Sequence, residues 1–304
     1  MAQKTLLVIV GPTGIGKTSL AVQLAIHFKT EIISADSRQF YKEMNIGTAV
    51  PTKEELKMVP HHFVHQISVH ENYTAGDFER DAIKKLDELF KYHDIVLMVG
   101  GSGLYIDTVV YGIDSFPKTK PGLRQELQKE LEEKGLKPLQ EELKLQDPDY
   151  YQKVDLQNPQ RILRAIEVIR SSGKPFSDFL GKAKVKRPFQ SVILGLEAPR
   201  EIVYQRINSR VDQMMKSGLL EEVKTLRNYK HLNALQTVGY REIFSYLEGE
   251  SDLENAILEI KKNTRRFAKR QGTWFRKNKE IRWIPYNRDL TEHIQFIDQI
   301  IENG

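Results

Sequence analysis

No cysteine occurs among the 304 residues, so disulfides and thiolate metal sites are both excluded. No apolar run approaches the ~20 residues that a membrane-spanning helix requires. The N-terminal stretch "KTLLVIVG" runs straight into a glycine-rich motif without a cleavage site, so it does not read as a secretory leader. Internal repeats and low-complexity segments are lacking too. A cytoplasmic protein that does not engage a membrane is therefore expected. What remains is ordinary globular material, 40% hydrophobic and 29% charged, long enough for roughly two domains of ~150 residues. The net charge of +5 is modest, but its distribution is uneven. From Lys261 to Arg282 the chain holds ten Lys or Arg and a single acid, Glu280, which suggests an acidic partner.

Along the chain, the β-branched run Thr5–Val10 leads into a glycine loop and then into "TSLAVQLAIHF", whose apolar residues fall at helical spacing. "TEIISADS" reads as a second strand ending on Asp36 and Ser37. "TAGDFERDAIKKLDELF" opens with a Thr74-x-x-Asp77 capping signature and puts Phe78, Ala82, Ile83, Leu86, Leu89 and Phe90 on one face. "DIVLMVGGSGLYI" is a continuous apolar strand that breaks at Gly100-Gly101 into another helix, the pattern of a buried parallel sheet. Strands alternating with helices predict an α/β fold, a doubly wound parallel sheet. From Gly122 to about Lys184 no strand is evident, only charged helical stretches, which predicts an all-helical insertion. "QSVILGLEAP" then reads as a strand returning to the sheet, followed by helices to about Lys279. The expected organisation is a core of residues 1–117 and 186–304 with a helical insertion over 118–185.

Gly11-x4-Gly16-Lys17-Thr18 is a complete P-loop pattern set between strand and helix. Its glycines let backbone N–H groups crowd an anion at a helix N-terminus, Lys17 adds a full charge, and the Thr18 hydroxyl can ligate Mg²⁺. The usual guest of such a loop is ATP. Yet the strand over Ile95–Val99, where an NTPase would place a metal-holding acid, runs into Gly100-Gly101-Ser102 without a carboxylate. The strand-terminal acid near the loop is Asp36, which parallel α/β topology points toward the same crevice as Lys17. Strand-end Asp and Ser residues also commonly cap loops, and Ser102 after two glycines commonly starts a helix. His61-His62 does not read as a metal site, because adjacent histidines point different ways and no further ligand sits at suitable spacing.

The stretches "GPTGIGKT", "ISADSRQFYKEMNIGTA", "PHHF", "VGGSGLY", "NPQRILRAIEV", "RINSRVDQMMKSGLLEEV", "VGYREI" and "NTRRFAKRQGTWFR", in this order, resemble the bacterial tRNA dimethylallyltransferases (tRNA isopentenyltransferases) over essentially the whole chain. That family usually has Thr where Ser102 stands, and serine keeps the hydroxyl. Its inserted domain varies in sequence, and the cysteine-based zinc finger of some eukaryotic relatives is absent. The resemblance implies transfer of a dimethylallyl group from its diphosphate to N6 of adenine 37, beside the anticodon of tRNAs, with release of diphosphate. It casts Asp36 as general base, joined at the catalytic centre by Ser102. The donor's diphosphate would lie on Gly11, Pro12, Thr13, Gly14, Ile15, Gly16, Lys17 and Thr18, with Arg210 and a Thr18-bound Mg²⁺. Contacts to the tRNA anticodon stem-loop would fall on Asp36, Ser37, Arg38, Gln39, Ser102, Arg124, Gln160, Arg161, Ile162, Leu163 and Arg164. A monomer is expected.

Taken without the resemblance, Arg161 and Arg164 are one turn of an ordinary surface face. The basic tail suits an RNA backbone independently: Arg265, Arg266, Lys269, Arg270 and Arg276 cluster along one helix. The interleaved Phe267 and Trp274 are expected to pack into the core. Two other enzymatic readings stand beside this one, a P-loop kinase of a small metabolite and a prenyltransferase of free adenine nucleotides. Both leave the basic tail idle. A non-enzymatic RNA-binding module would leave Lys17, Thr18 and Asp36 without a purpose.

Overall fold

The computed structural model describes residues 3–181 and 185–302, so the expected end of the strandless stretch at Lys184 lies outside the described residues. The chain forms two compact units, Met1–Val110 with Arg187–Gly304, and Tyr111–Lys186.

The first unit begins with β1 (Thr5–Val10), α1 (Lys17–His27), β2 (Ile32–Ser34), α2 (Lys53–Met58), β3 (His61–His62), α3 (Ala75–Leu89), β4 (Ile95–Val99) and α4 (Gly103–Tyr111). The second unit follows, with α5 (Leu123–Lys134), α6 (Lys137–Gln146), α7 (Pro148–Tyr151) and α8 (Pro159–Ser172). The chain then completes the first unit through β5 (Gln190–Glu197), α9 (Arg200–Lys216), α10 (Leu219–Thr225), α11 (Tyr240–Leu247), α12 (Leu253–Phe275), β6 (Arg282–Pro285) and α13 (Leu290–Glu302).

All six strands are parallel, in the order β3-β2-β4-β1-β5-β6. Leu7 and Ile9 of β1 pack with Leu20, Leu24 and Ile297 on one side of the sheet. Their alternates Leu6, Val8 and Val10 are equally buried, so both faces are covered, as parallel sheets demand. Two edge strands escape the sequence pattern. The two-residue β3 and the basic-flanked β6 ("RWIP") are too short to show a period, and their pairing to β2 and β5 creates them. The Thr74–Asp77 capping box does start α3, and α2 starts on a second box, Thr52–Glu55.

The second unit is helical throughout its described elements and has its own core, in which Leu127, Leu139, Leu143, Ile162, Leu163 and Ile166 are fully buried. Asn158 caps α8 through its side chain, with Pro159 at the first helical position. The unit begins at Tyr111 rather than at residue 118 because Phe116 belongs to it, its ring stacked on Phe176 at 4.9 Å.

Candidate active site

The carboxyl ends of β1, β2 and β4 converge in the first unit, and each delivers one part of the site. Beyond β1, Gly16 sits at φ 108° as the N-cap of α1, a conformation L side chains resist, and this turns the loop's N–H groups inward. Lys17 lies at the start of α1, its Nζ donating to the Pro12 carbonyl at 3.0 Å. Burial first, and the Arg210 cation second, lower its pKa to about 8, against the opposing pull of Asp36. Arg210, from α9, is exposed to solvent, yet protein crowds its guanidinium. Desolvation lowers its pKa while Asp36 and Glu55 support its charge.

Beyond β2, Asp36 turns back on itself, its Oδ1 accepting the Arg38 N–H at 3.0 Å. Beyond β4, the Ser102 Oγ accepts the Ser37 N–H at 3.0 Å and donates to the Ser37 Oγ at 3.1 Å. Ser102 thus ties the β4 turn to the β2 loop at the residue after Asp36.

Three recesses meet at these residues. An outer one of about 330 Å³ is lined by Gly14, Gly16, Lys17, Thr18 and Arg210. A narrow one of about 60 Å³ joins Lys17 and Thr18 to Asp36 and Arg210. A deeper one of about 310 Å³ starts at Asp36, Ser37, Ser102 and Arg210 and ends against Val211, Met214, Leu219, Val238 and Ile260. An anion site therefore opens through a carboxylate into an apolar-ended cavity. The structure brings Thr13, Gly14, Gly16, Lys17 and Thr18 of the loop together with Asp36, Ser37, Ser102 and Arg210; Pro12 takes part through its carbonyl, Gly11 lines none of the three recesses, and the Ile15 side chain is buried in the core.

Other expected residues take different parts. Gln39 is buried, and its side chain joins the Ser34 hydroxyl (3.0 Å) to the carbonyls of Thr48 (3.3 Å) and Ala49 (3.0 Å), bracing the wall of the recess that it lines with Lys17 and Asp36. The Arg38 guanidinium donates to the carbonyls of Asn233 and Ala234 at 3.0 and 3.1 Å. Within the second unit, Ile162 and Leu163 are fully buried, which corrects their assignment as RNA contacts: their side chains are core. Around them Gln160 and Arg161 are exposed, Arg124 bonds Gln160, and Arg164 pairs with Glu167 at 2.9 Å. On α12, Arg265 bonds Asn208 at 2.7 Å, whereas Arg266, Lys269 and Arg270 stand exposed.

Phe267 and Trp274 require a second correction. Each is 39% exposed instead of core-packed. The inward face of α12 is taken by Ile260, Ala268, Gln271 and Phe275, and the two rings lie off it.

Sequence reasoning missed the residues that hold the phosphate loop. The Gln271 side chain, 7% exposed, accepts the Thr13 N–H at 2.9 Å and donates to the Gly101 carbonyl at 3.0 Å. Arg206, stacked over Tyr286 at 4.6 Å, donates to the Ile15 carbonyl at 2.8 Å. Nothing in composition or spacing separates these two from their exposed basic and polar neighbours.

The arrangement suits a reaction in which an anionic group departs on the Lys17 side while a proton is taken up at Asp36. A profile described as IPP transferase matches residues 39–278. A curated tRNA dimethylallyltransferase of Flavobacterium johnsoniae is 54% identical over 99% of both chains. The solved full-length tRNA isopentenylpyrophosphate transferase of Bacillus halodurans superposes with a TM-score of 0.74 at 34% identity, covering 99% of this chain and 98% of its own. A eukaryotic dimethylallyltransferase, solved acting on tRNA, reaches a TM-score of 0.83 at 26% identity over 99% of this chain and 80% of its own. Sequence, fold and the P-loop–carboxylate arrangement agree: the chain belongs to the IPP transferase family.

Proposed function

We propose that this transferase moves a dimethylallyl group from dimethylallyl diphosphate to N6 of adenine 37 in tRNA, releasing diphosphate. The observation that carries the reading is the junction at Asp36, where the anion recess of Lys17, Thr18 and Arg210 opens into a cavity with an apolar end. Relatives named tRNA dimethylallyltransferase support it, and no carboxylate follows β4 to serve γ-phosphoryl chemistry. The protein would work as a cytoplasmic monomer; no described helix is long and apolar enough to cross a membrane.

The adenine amine is a weak nucleophile because its lone pair is delocalised into the ring. As N6 bonds to C1 of the allyl group, the C1–O bond breaks and its electron pair leaves with diphosphate. Asp36 accepts the surplus N6 proton. The loop N–H groups, Lys17 and Arg210 stabilise the negative charge where it develops, so they act more strongly on the transition state than on the bound donor. Thr18 offers a hard oxygen donor to Mg²⁺ within the same recess as Lys17 and Asp36. Thr18 would hold the ion together with oxygens of the donor's diphosphate, and among the described residues no group of three carboxylates or imidazoles forms a separate metal site. Once bound there, it supplies further charge neutralisation for the leaving group. The adenine must leave its stack to reach Asp36, which an unpaired anticodon loop permits at small cost.

Incubation with Mg²⁺, dimethylallyl diphosphate and undermodified tRNA is expected to yield prenylated adenosine in the nucleoside digest, in step with released diphosphate. Asp36→Asn should abolish turnover while leaving tRNA affinity within about threefold, since a base acts on the barrier rather than on RNA binding. ATP hydrolysis without prenylated nucleoside would refute the reading.

A further inference from the structure

The exposed aromatic face of α12 has no part in the chemistry above. Phe267 and Trp274, two turns apart, line a groove of about 270 Å³ together with Ser102, Leu104, Tyr105 and Arg270. The indole is fixed in place. Its Nε1 donates to Asp107 Oδ2 at 2.9 Å, and it lies so close to Gly103 that an added Cβ there would fall 2.3 Å from the ring. Such anchoring holds a flat apolar surface toward solvent, where the hydrophobic effect alone would not leave it.

Cations surround this groove. Trp274 and Arg270 also line an adjoining hollow of about 400 Å³ formed with Arg266, Lys269, Thr273 and Lys277. On its inner side the groove shares Ser37, Ser102, Phe267 and Arg270 with the cavity that begins at Asp36. A cationic rim selects a polyanion, and an anchored ring selects a planar π face; a single-stranded nucleotide carries both.

We infer that Trp274, with Phe267, forms a stacking shelf for an unpaired nucleobase flanking the reacting adenine, with the adjoining phosphates on Arg266, Lys269 and Lys277. The inference rests on the RNA substrate proposed above and names where a neighbouring base sits. Asp107 is then a positioning residue that holds the indole.

The chain has two tryptophans, so Trp283→Phe leaves Trp274 as a sole fluorescent reporter. Titrating that variant with an anticodon stem-loop RNA should quench its emission. Trp274→Ala should weaken stem-loop binding about 10- to 100-fold with an unchanged salt slope, because the phosphate contacts remain. Trp274→Phe should restore most of the affinity, and Lys269→Ala should instead reduce the salt slope by roughly one. An abasic nucleotide at one loop position beside the target should weaken wild-type binding yet cost Trp274→Ala nothing further. Unquenched Trp274 emission on RNA binding, or equal penalties from every abasic position in both proteins, overturns the shelf alone. A wild-type protein that binds no stem-loop overturns the shelf together with the RNA reading.

Discussion

Glu222 holds the loop that walls the active site, and replacing it with glutamine tests how. Its Oε2 accepts the N–H groups of Asn45 (3.1 Å) and Ile46 (2.7 Å), and its Oε1 accepts the Gly47 N–H (3.0 Å) and the Tyr240 hydroxyl (2.6 Å). Burial, reinforced by the Glu222 charge, holds the Tyr240 phenol far above its ordinary range, so the hydroxyl remains a donor. The same loop brings Thr48 and Ala49 to the site, where Gln39 grips their carbonyls. In Glu222→Gln the NH₂ turns toward Gly47 and Tyr240, because the Tyr240 hydroxyl can rotate to accept from it whereas the Asn45 and Ile46 N–H groups cannot. The Gly47 bond to a charged acceptor, worth about 1.5–3 kcal/mol before water recovers part of the half-exposed site, is lost, and the Asn45 and Ile46 bonds pass to a weaker, neutral acceptor. A net loss of about 3 kcal/mol is expected, which for a chain of this size lowers Tm by on the order of 6 °C. In a Tyr240→Phe background the NH₂ loses that acceptor and still opposes the Gly47 N–H, so the same substitution should cost at least as much. Thermal unfolding of the four proteins, with KM for the prenyl diphosphate, measures this directly. A Tm for Glu222→Gln within about 1 °C of its parent, or a clearly smaller cost in the Tyr240→Phe background, refutes the argument.

Lys17 predicts a pH dependence. With a pKa of about 8 in the free protein, the anion site carries its full charge below that pH, so diphosphate affinity should fall as pH rises through about 8. Lys17→Arg should flatten this profile, because guanidinium stays charged, and a wild-type affinity constant from pH 7 to about 9 would contradict the assignment. The same shift has the opposite sign for stability: the unfolded chain binds the extra proton between about 8 and 10.5, so the ligand-free protein should gain stability with pH across that window. Gln271→Leu leaves the Thr13 N–H and the Gly101 carbonyl without their partner and should raise KM for the donor several-fold, with RNA affinity little changed. Kinetics at saturating tRNA decide it; an unaltered KM would make Gln271 merely a packing residue.

Much of the site was legible because its chemistry is local in the chain. A P-loop needs glycines, a lysine and a hydroxyl within one turn between strand and helix, and Gly11–Thr18 displays them consecutively. Asp36 was legible for a related reason, since it stands two residues past a short buried strand, and parallel topology fixes which end of a strand faces the crevice. The braces were not legible. Gln271 meets Thr13 across the fold, and Glu222 meets Asn45, Ile46 and Gly47 in the same way, so neither has a spacing that sequence can carry. Helical periodicity likewise misjudged Phe267 and Trp274, because an aromatic residue on α12 reads the same whether it faces the core or a basic groove.

Residue order settled the family, the doubly wound sheet and the anion loop, because backbone conformation and strand–helix alternation are written in neighbouring residues. Tertiary packing decided which groups surround Asp36, that Ile162 and Leu163 lie in the core of the helical unit, and that an anchored indole lies open beside the reaction cavity. Those outcomes depend on which distant side chains meet, and a linear pattern holds no record of that.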